Sequence, residues 1–170
     1  YAQNAVAAGL PAVLVGRLLH KPVVLKFVGD EAWERATQAG RTSKRLEDFY
    51  ISPDGGLRTK VFMVIQGFAL RRASVVTTPS LYLGELLIAH YGVKRERFVV
   101  NYNAVAAASG GEKKPERVPY RASVASRLVS WKNVDGIIRA VVELRAKLPA
   151  AHLEIAGEGP EKEKLERLVK

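Results

Sequence analysis

A chain of 170 residues is long enough for one ordinary domain or two small ones. It contains no cysteine, which excludes disulfides and thiolate metal sites, and its three histidines lie far apart and form no ligand pattern. The formal charge of +10 favours a partner with negative charge, such as nucleotide phosphates, an anionic membrane surface or nucleic acid, although a solvated basic surface without a role is an alternative.

The first part of the chain alternates helical and strand patterns, which predicts an α/β architecture with a parallel sheet. Helices are predicted over residues 10–19, 30–38, 58–72 and 81–91, and strands over 23–28, 74–78 and 98–100. Residues 42–56 are polar and carry a strong turn signal, Ser52-Pro53-Asp54-Gly55-Gly56. Helix 58–72 is predicted to bury Val61, Ile65 and Phe68, with Phe62 and Ala69 beside them. Ser80 is predicted to cap the next helix, which would bury Leu83, Leu86, Leu87 and His90 and end at Gly92.

The composition changes after residue 106. Residues 108–119 carry glycines, prolines and charges, which predicts a linker. A strand over 121–126, a helix over 133–148 capped by Asn133, a strand over 152–156 and a last helix beginning with Pro160 are then predicted. Apolar residues at helical spacing are expected to face inward, and these are Val134, Ile137, Ile138, Val141 and Val142, then Leu165, Leu168 and Val169.

Arg127 and Lys132 are the first candidates for chemistry. Arg127 follows the end of a predicted strand and Lys132 precedes the start of a predicted helix. Ligands of parallel sheets bind beyond the carboxyl ends of the strands, and a helix N-terminus offers free N–H groups and a partial positive charge. The pair therefore predicts a diphosphate site, and the alternative is that both are ordinary loop charges.

Several segments together resemble the family-four glycosyltransferases of the GT-B fold. The resemblance rests on Ser126-Arg127-Leu128, on Trp131-Lys132-Asn133 and on the segment LEIAGEGPEKEKLERL at 153–168, with weaker support from Thr78-Pro79-Ser80 and Asn101–Val105. It implies two Rossmann-like domains, with residues 1–107 as the end of an acceptor-side domain, 108–119 as the linker and 120–170 as the start of a donor-binding domain.

The resemblance also implies an activity. It implies a retaining, metal-independent hexosyltransferase without a cofactor, in which Arg127 and Lys132 bind the diphosphate of a nucleotide-sugar donor. The acceptor would be a sugar, a lipid or a polysaccharide. Because the family's Gly-rich loop and Glu-x7-Glu motif are absent and the chain lacks an initiator Met, we expect an internal fragment that is inactive alone. A cytoplasmic location is expected, with peripheral membrane contact through residues 58–72 as a further hypothesis.

Four more residues are weaker candidates. Asp30, at the tip of a predicted strand, is hypothesised to orient an acceptor hydroxyl or the donor sugar, with Trp33 lining the acceptor site; the alternative is a helix-capping Asp30 and a half-buried Trp33. Gly157 and Gly159 are candidates for contact with the donor, or else form a tight strand-to-helix turn.

Two other classes of protein remain open alternatives to a glycosyltransferase. A basic nucleic-acid-binding module fits the charge but lacks helix-turn-helix, zinc and RRM-type signatures, so no nucleic acid is expected as a partner. A stand-alone nucleotide-binding or oxidoreductase Rossmann domain would need a complete Gly-x-Gly-x-x-Gly motif or P-loop, and the sequence has neither.

Overall fold

A computed structural model describes residues 1–106 and 118–169 of the chain. It divides into two compact units, Tyr1–Ala106 and Ala107–Lys170. Of the predicted linker 108–119, residues 108–117 lie outside the described residues. None of the described helices is both long and apolar enough to cross a membrane.

The first unit is built on a parallel sheet with strand order β1-β2-β3-β4. Its strands are β1 (Ala2–Gln3), β2 (Val24–Lys26), β3 (Val75–Thr78) and β4 (Phe98–Val100). Leu25 pairs with Val76 in the central two strands, and both side chains are fully buried. Helices therefore cover this sheet, as short apolar strands of a parallel sheet require. The predicted α/β class with parallel sheets is confirmed, although β1 is an unpredicted strand.

The helices of the first unit follow the predicted pattern with one addition. They are α1 (Leu10–Leu18), α2 (Glu31–Gln38), α3 (Leu46–Ile51), α4 (Gly56–Arg72) and α5 (Leu81–Tyr91), and a π-helical turn over Ala5–Gly9 precedes α1. Helix α3 was not predicted, and it lies inside the polar segment 42–56, just before the turn signal at residues 52–56. Burial of Phe49 and Tyr50 stabilises this short helix, because tertiary packing outweighs the polar composition around it.

The buried face of α4 differs from the predicted one. Val61 is 48% exposed, while Gln66, Gly67, Ala69 and Leu70 are buried. Helix α4 packs against α2 and the π-helical turn, where small residues allow a close approach. Gln66 points inward because it has polar partners there, which an apolar-periodicity rule does not anticipate.

Helix α5 begins and ends where the sequence predicts. The Ser80 Oγ accepts a hydrogen bond from the Leu83 N–H at 3.3 Å, and Gly92 ends the helix with φ of 66°. His90 is exposed, contrary to its predicted inward position, and Tyr91 is buried instead. Tyr91 has an aromatic body for the core and a hydroxyl that finds buried partners.

The described residues of the second unit, 118–169, form a parallel pair of strands and two α-helices. These are β5 (Arg121–Ala125), β6 (His152–Ala156), α6 (Val134–Lys147) and α7 (Lys162–Val169). Its core consists of Leu128, Val134, Ile138 and Leu165, with Leu153 and Ile155 packed against them. The other predicted inward residues are less buried, and Val142, Leu168 and Val169 are exposed within this unit. Two strands present a narrow apolar surface, which covers only a thin stripe of each helix.

Candidate functional site

Arg127 and Lys132 lie in the segment that joins the carboxyl end of β5 to the start of α6. Arg127 comes two residues after the last residue of β5, and Lys132 ends a 3-10 turn over Ser130–Lys132. Both residues are exposed. In the part of the chain that the structure describes, no carboxylate forms an ion pair with either side chain, so both cations are available to an anionic ligand.

Two buried residues between these cations anchor the segment. Leu128 and Val129 are 4% and 6% exposed. The backbone N–H of Leu128 donates to the carbonyl of Glu158 at 2.9 Å, and the carbonyl of Leu128 accepts from the N–H of Glu161 at 3.1 Å. Arg127 is therefore held on a backbone fixed to the loop after β6. This anchor was not predicted, although two consecutive apolar residues in a loop were a usable signal.

The N-terminus of α6 is not capped by the side chain of its N-cap residue. Asn133 stands at the N-cap position, but its backbone is left-handed (φ 51°, ψ 38°) and its side chain makes no capping hydrogen bond. The prediction that Asn133 caps this helix was therefore right in position and wrong in mechanism. Asparagine is one of the few residues that tolerate this conformation. Within the described ranges no side chain is recorded as an acceptor for the first N–H groups of α6, which provide a partial positive charge next to Lys132.

Gly157 and Gly159 allow the loop after β6 to approach the loop after β5. A Cβ atom at Gly157 would lie 1.9 Å from the carbonyl oxygen of Ser126, and one at Gly159 would lie 2.3 Å from the carbonyl oxygen of Leu128. No larger residue fits at either position without movement of the backbone. The tight-turn alternative is thus observed directly, while contact of these glycines with a donor stays a prediction.

Asp30, in the first unit, is buried and surrounded by hydrogen-bond donors. Its Oδ1 accepts from the N–H of Trp33 at 2.8 Å, which caps α2. Its Oδ2 accepts from the hydroxyl of Tyr50 at 2.5 Å, the Nε2 of Gln66 at 2.7 Å and the hydroxyl of Tyr91 at 2.8 Å. Asp30 is only 1% exposed. The capping alternative is therefore observed, and the catalytic role of Asp30 stays a prediction.

The same hydrogen bonds change the acidity of the two tyrosines. Burial raises the pKa of Tyr50 far above its usual value, and the charge of Asp30 and the neighbouring Tyr91 raise it further. Burial and the Asp30 charge likewise raise the pKa of Tyr91. Both phenols remain protonated donors at any physiological pH. The network of Asp30, Tyr50, Gln66 and Tyr91 thus holds a carboxylate with neutral donors alone, and we call it the Asp30 cluster.

Trp33 is half-buried at the start of α2. Its Nε1 donates to the carbonyl of Lys44 at 2.9 Å, and its ring packs against the core of the first unit. The ring therefore ties α2 to the segment before α3. The half-buried alternative is observed, and the acceptor-lining role of Trp33 stays a prediction.

The candidate residues thus fall into two sets. Asp30 and Trp33 belong to the first unit, and Arg127, Lys132, Gly157 and Gly159 belong to the second. Within the described residues, no group of three His, Asp or Glu side chains is placed to hold a metal ion. The second set unites two free cations, an uncapped helix N-terminus and a loop approach that only glycine permits, which is an arrangement suited to phosphate oxygens.

Residues 110–170 match the family described as glycosyl transferases group 1. The match includes all four candidate residues of the second unit. A curated relative is the UDP-N-acetylglucosamine–peptide N-acetylglucosaminyltransferase GtfA subunit of Streptococcus gordonii, which is 41% identical over 56 residues. The aligned stretch covers 33% of this chain, and the chain spans only 11% of the length of that relative. The resemblance to glycosyltransferases is therefore supported for the second unit, at the level of the group 1 family.

Proposed function

We propose that this chain is part of a glycosyltransferase that moves a sugar from a nucleoside-diphosphate-sugar donor to an acceptor. The observation that carries the proposal is the pair Arg127 and Lys132, both free of carboxylates, beside the uncapped N-terminus of α6. These residues lie inside the segment that matches group 1 glycosyltransferases. Residues 120–170 would bind the donor, and residues 1–107 would belong to an acceptor-side domain of a GT-B fold.

The proposed role of each group follows from its chemistry. The Arg127 guanidinium presents paired N–H donors that fit two phosphate oxygens at once, while the Lys132 ammonium acts as a compact point charge. The N–H groups at the start of α6 add donors of fixed direction. When the bond between the sugar and the diphosphate breaks, negative charge grows on the leaving nucleoside diphosphate. Cations and dipoles already held beside it stabilise that charge without reorganisation.

We further propose a retaining reaction of the family-four type that needs no metal ion at the diphosphate. The two cations and the helix N-terminus support this view, because they supply the positive charge that a metal would otherwise bring. The transferred sugar would be a hexose and the product a polysaccharide or glycoconjugate. Asp30 would serve this reaction by positioning α2 and Trp33 rather than by touching the acceptor, since all four of its hydrogen bonds are made within the protein.

Calorimetry on the full 170-residue chain tests the proposal with UDP, GDP and ADP and their sugar conjugates. We expect one nucleotide series to bind, and Arg127→Gln and Lys132→Gln each to weaken it by roughly tenfold or more, because a hydrogen bond to a charged group contributes about 1.5–3 kcal/mol. The donor that binds would be identified by the same titrations.

A matched control separates the site from the general charge of the chain. Arg145→Gln and Lys147→Gln remove the same charges from the other end of α6, and we expect them to leave nucleotide affinity nearly unchanged. Absence of binding to every nucleotide would contradict the proposal, as would equal losses in the control. Tight binding of single-stranded nucleic acid that both pairs of substitutions weaken alike would favour the nucleic-acid alternative.

A further inference from the structure

A second concentration of positive charge lies in the first unit, at the edge of the sheet opposite Asp30. Arg71 and Arg72 end α4 just before β3, Lys94 and Arg97 precede β4, and Arg17 lies in the last turn of α1 before β2. All strands of this sheet are parallel, so these residues share its amino edge, whereas Asp30 follows the carboxyl end of β2. The cluster thus contains none of the candidate residues discussed above.

These five cations line a single cleft. The cleft has a volume of about 430 Å³, and its remaining lining residues are Leu70, Gly92 and Val93. No carboxylate is among the described residues that line it. The volume falls within the range of small-molecule sites, roughly 300–1,000 Å³. Gly92 has φ of 66° and carries no side chain into the space, and a Cβ atom there would approach only Arg71, at 3.9 Å.

Internal contacts hold part of this cluster in place. The Nη1 of Arg71 donates to the carbonyl of Tyr91 at 3.0 Å, and the guanidinium of Arg72 lies 5.6 Å from the ring centre of Phe68. Such contacts fix the two guanidinium groups without neutralising them, since a carbonyl and an aromatic ring carry no net charge. The cations are therefore partly preorganised for a ligand.

The internal negative charge is too small to balance the cleft. The C-terminal ends of α1, α4 and α5 contribute about half a negative charge each. Glu96 lies 4.0 Å from Lys94 and offsets that one cation, but both side chains are largely exposed. When Glu96 and the three helix ends are subtracted from the five cations, about two and a half positive charges remain. Basic residues at helix C-termini are common, but five around one cleft exceed what three helix ends can offset.

The surface next to the cleft is also basic. An adjoining groove shares Arg17 and Arg72 with the cleft and adds His20, Lys21 and Leu14. We propose that the cleft lined by Arg17, Arg71, Arg72, Lys94 and Arg97 binds a phosphate group that carries at least two negative charges. The phosphate belongs either to a soluble phosphorylated compound or to an anionic lipid headgroup. This site is independent of the proposed donor site and does not require that the protein transfers sugars.

Two assays on the full chain distinguish these sources. Both use an Arg127→Gln/Lys132→Gln background, so that the proposed donor site does not contribute. Calorimetry with pyrophosphate tests the soluble source, and flotation with phosphatidic acid vesicles at mildly alkaline pH, against phosphatidylcholine vesicles, tests the lipid source. We expect at least one of the two probes to bind. The variant Arg17→Gln/Arg72→Gln should weaken that binding by about tenfold or more, because two charge-assisted contacts are lost.

The control removes two charges from the second unit through Arg145→Gln/Lys147→Gln, and it should leave binding within about twofold. In the part of the chain that the structure describes, the side chains of Arg17 and Arg72 make no hydrogen bond, so we expect both substitutions to preserve the fold, and thermal unfolding of each variant checks this. Binding of pyrophosphate would assign the cleft to soluble phosphates, and selective flotation with phosphatidic acid would assign it to a lipid headgroup. The proposal is overturned if neither probe binds, or if the cleft variant and the control lose binding equally.

Discussion

At the scale of single residues, Asp30 shows how a buried carboxylate is held without a cation. A buried charge that lacks partners is costly, so its oxygens need several strong donors. Oδ2 accepts from Tyr50, Gln66 and Tyr91, and Oδ1 accepts from the first turn of α2, whose dipole also favours negative charge. Gln66 completes the cluster, because its Oε1 accepts from the N–H of Glu31 at 3.2 Å.

The Asp30 cluster predicts loss of stability at alkaline pH. The pKa values of Tyr50 and Tyr91 are raised in the folded chain, whereas a tyrosine in the unfolded chain ionises near pH ~10. Above that pH the unfolded state has released phenol protons that the folded state keeps. The free energy of unfolding should therefore fall by about 1.4 kcal/mol per pH unit for each tyrosine. Below pH ~10 the contribution is fully present.

Urea unfolding of the full chain at several pH values between ~9 and ~11 measures this slope. The NMR signals of β2 and β3 report the unfolding of the first unit in each titration. Tyr91→Phe should remove about half of the tyrosine contribution to the slope, even though it lowers stability at every pH. Tyr102→Phe is the control, because Tyr102 is exposed and should leave the slope unchanged. An identical slope in Tyr91→Phe and the parent chain would show that Tyr91 ionises equally in both states.

The sequence predicted this cluster only in part. Asp30 before a helix is a recognisable cap, and that alternative was observed. Gln66 and Tyr91 were not predicted as buried, because apolar periodicity assigns a glutamine to the solvent face. Their partners come from α2 and α3, far away in sequence, so only the tertiary fold brings the four side chains together.

At the scale of elements, the approach of the loop after β6 to the loop after β5 determines where Arg127 lies. Gly157→Ala would place a Cβ atom 1.9 Å from the carbonyl oxygen of Ser126, so one backbone segment must move. We expect a loss of about 1–3 kcal/mol in the stability of the second unit, typical of overpacking. Nucleotide affinity should fall as well, although Gly157 has no side chain to lose. Thermal unfolding and calorimetry on the variant measure both effects.

Gly136→Ala is the matched control in the same unit. The three atoms nearest to a Cβ atom there all belong to the side chain of Asn133, the closest at 2.6 Å, and that side chain can rotate away. Alanine also favours the helical conformation of α6 more than glycine does. Stability should be unchanged or slightly higher. If Gly157→Ala were as well tolerated as this control, the close approach of the two loops would not matter for stability.

Element positions were mostly predictable, and element faces were not. Strands β4 and β6 match their predicted bounds, and α5 begins after Ser80 and ends before Gly92 because caps and breakers act locally. The inward positions of Val61, His90, Leu168 and Val169 were wrong, since burial depends on which neighbours cover each helix. Helix α3 was missed because its stability comes from the burial of Phe49 and Tyr50 and not from its local sequence.

At the scale of the whole molecule, the two units have cores of very different size. Among the described residues, the core cluster of the second unit has four buried members, Leu128, Val134, Ile138 and Leu165, whereas that of the first is larger and includes Leu25, Phe27, Phe49, Leu70 and Leu87. Small cores provide little hydrophobic stabilisation. We expect the second unit to open more often than the first.

Native-state hydrogen exchange on the full chain tests this difference. Amides of β2 and β3 should exchange at least about tenfold more slowly than those of β5 and β6, because exchange reports the free energy of local opening. Addition of the nucleotide that binds best should slow exchange in β5 and β6 selectively, since a ligand stabilises the unit it binds. Equal protection in both sheets without ligand would contradict the expectation.

The candidate donor site was predictable as a location but not as a geometry. The sequence shows a cation after a predicted strand and another before a predicted helix, and this pattern predicted that Arg127 and Lys132 lie in one connecting segment. The left-handed Asn133, the free N–H groups of α6 and the anchor at Leu128 and Val129 depend on backbone angles and on contacts with the loop after β6. The basic cleft of the first unit was not predicted, because its five cations come from three separate segments.

The shared oxygen of Asp30 also restricts how this protein can diverge. Donors from α3, α4 and α5 converge on that one atom, so replacing Asp30 takes from three buried donors the acceptor that they share. A lineage that loses the carboxylate therefore gains by also exchanging Tyr50, Gln66 and Tyr91 for apolar residues of similar volume. We therefore expect these four positions to covary across homologous sequences rather than to vary independently.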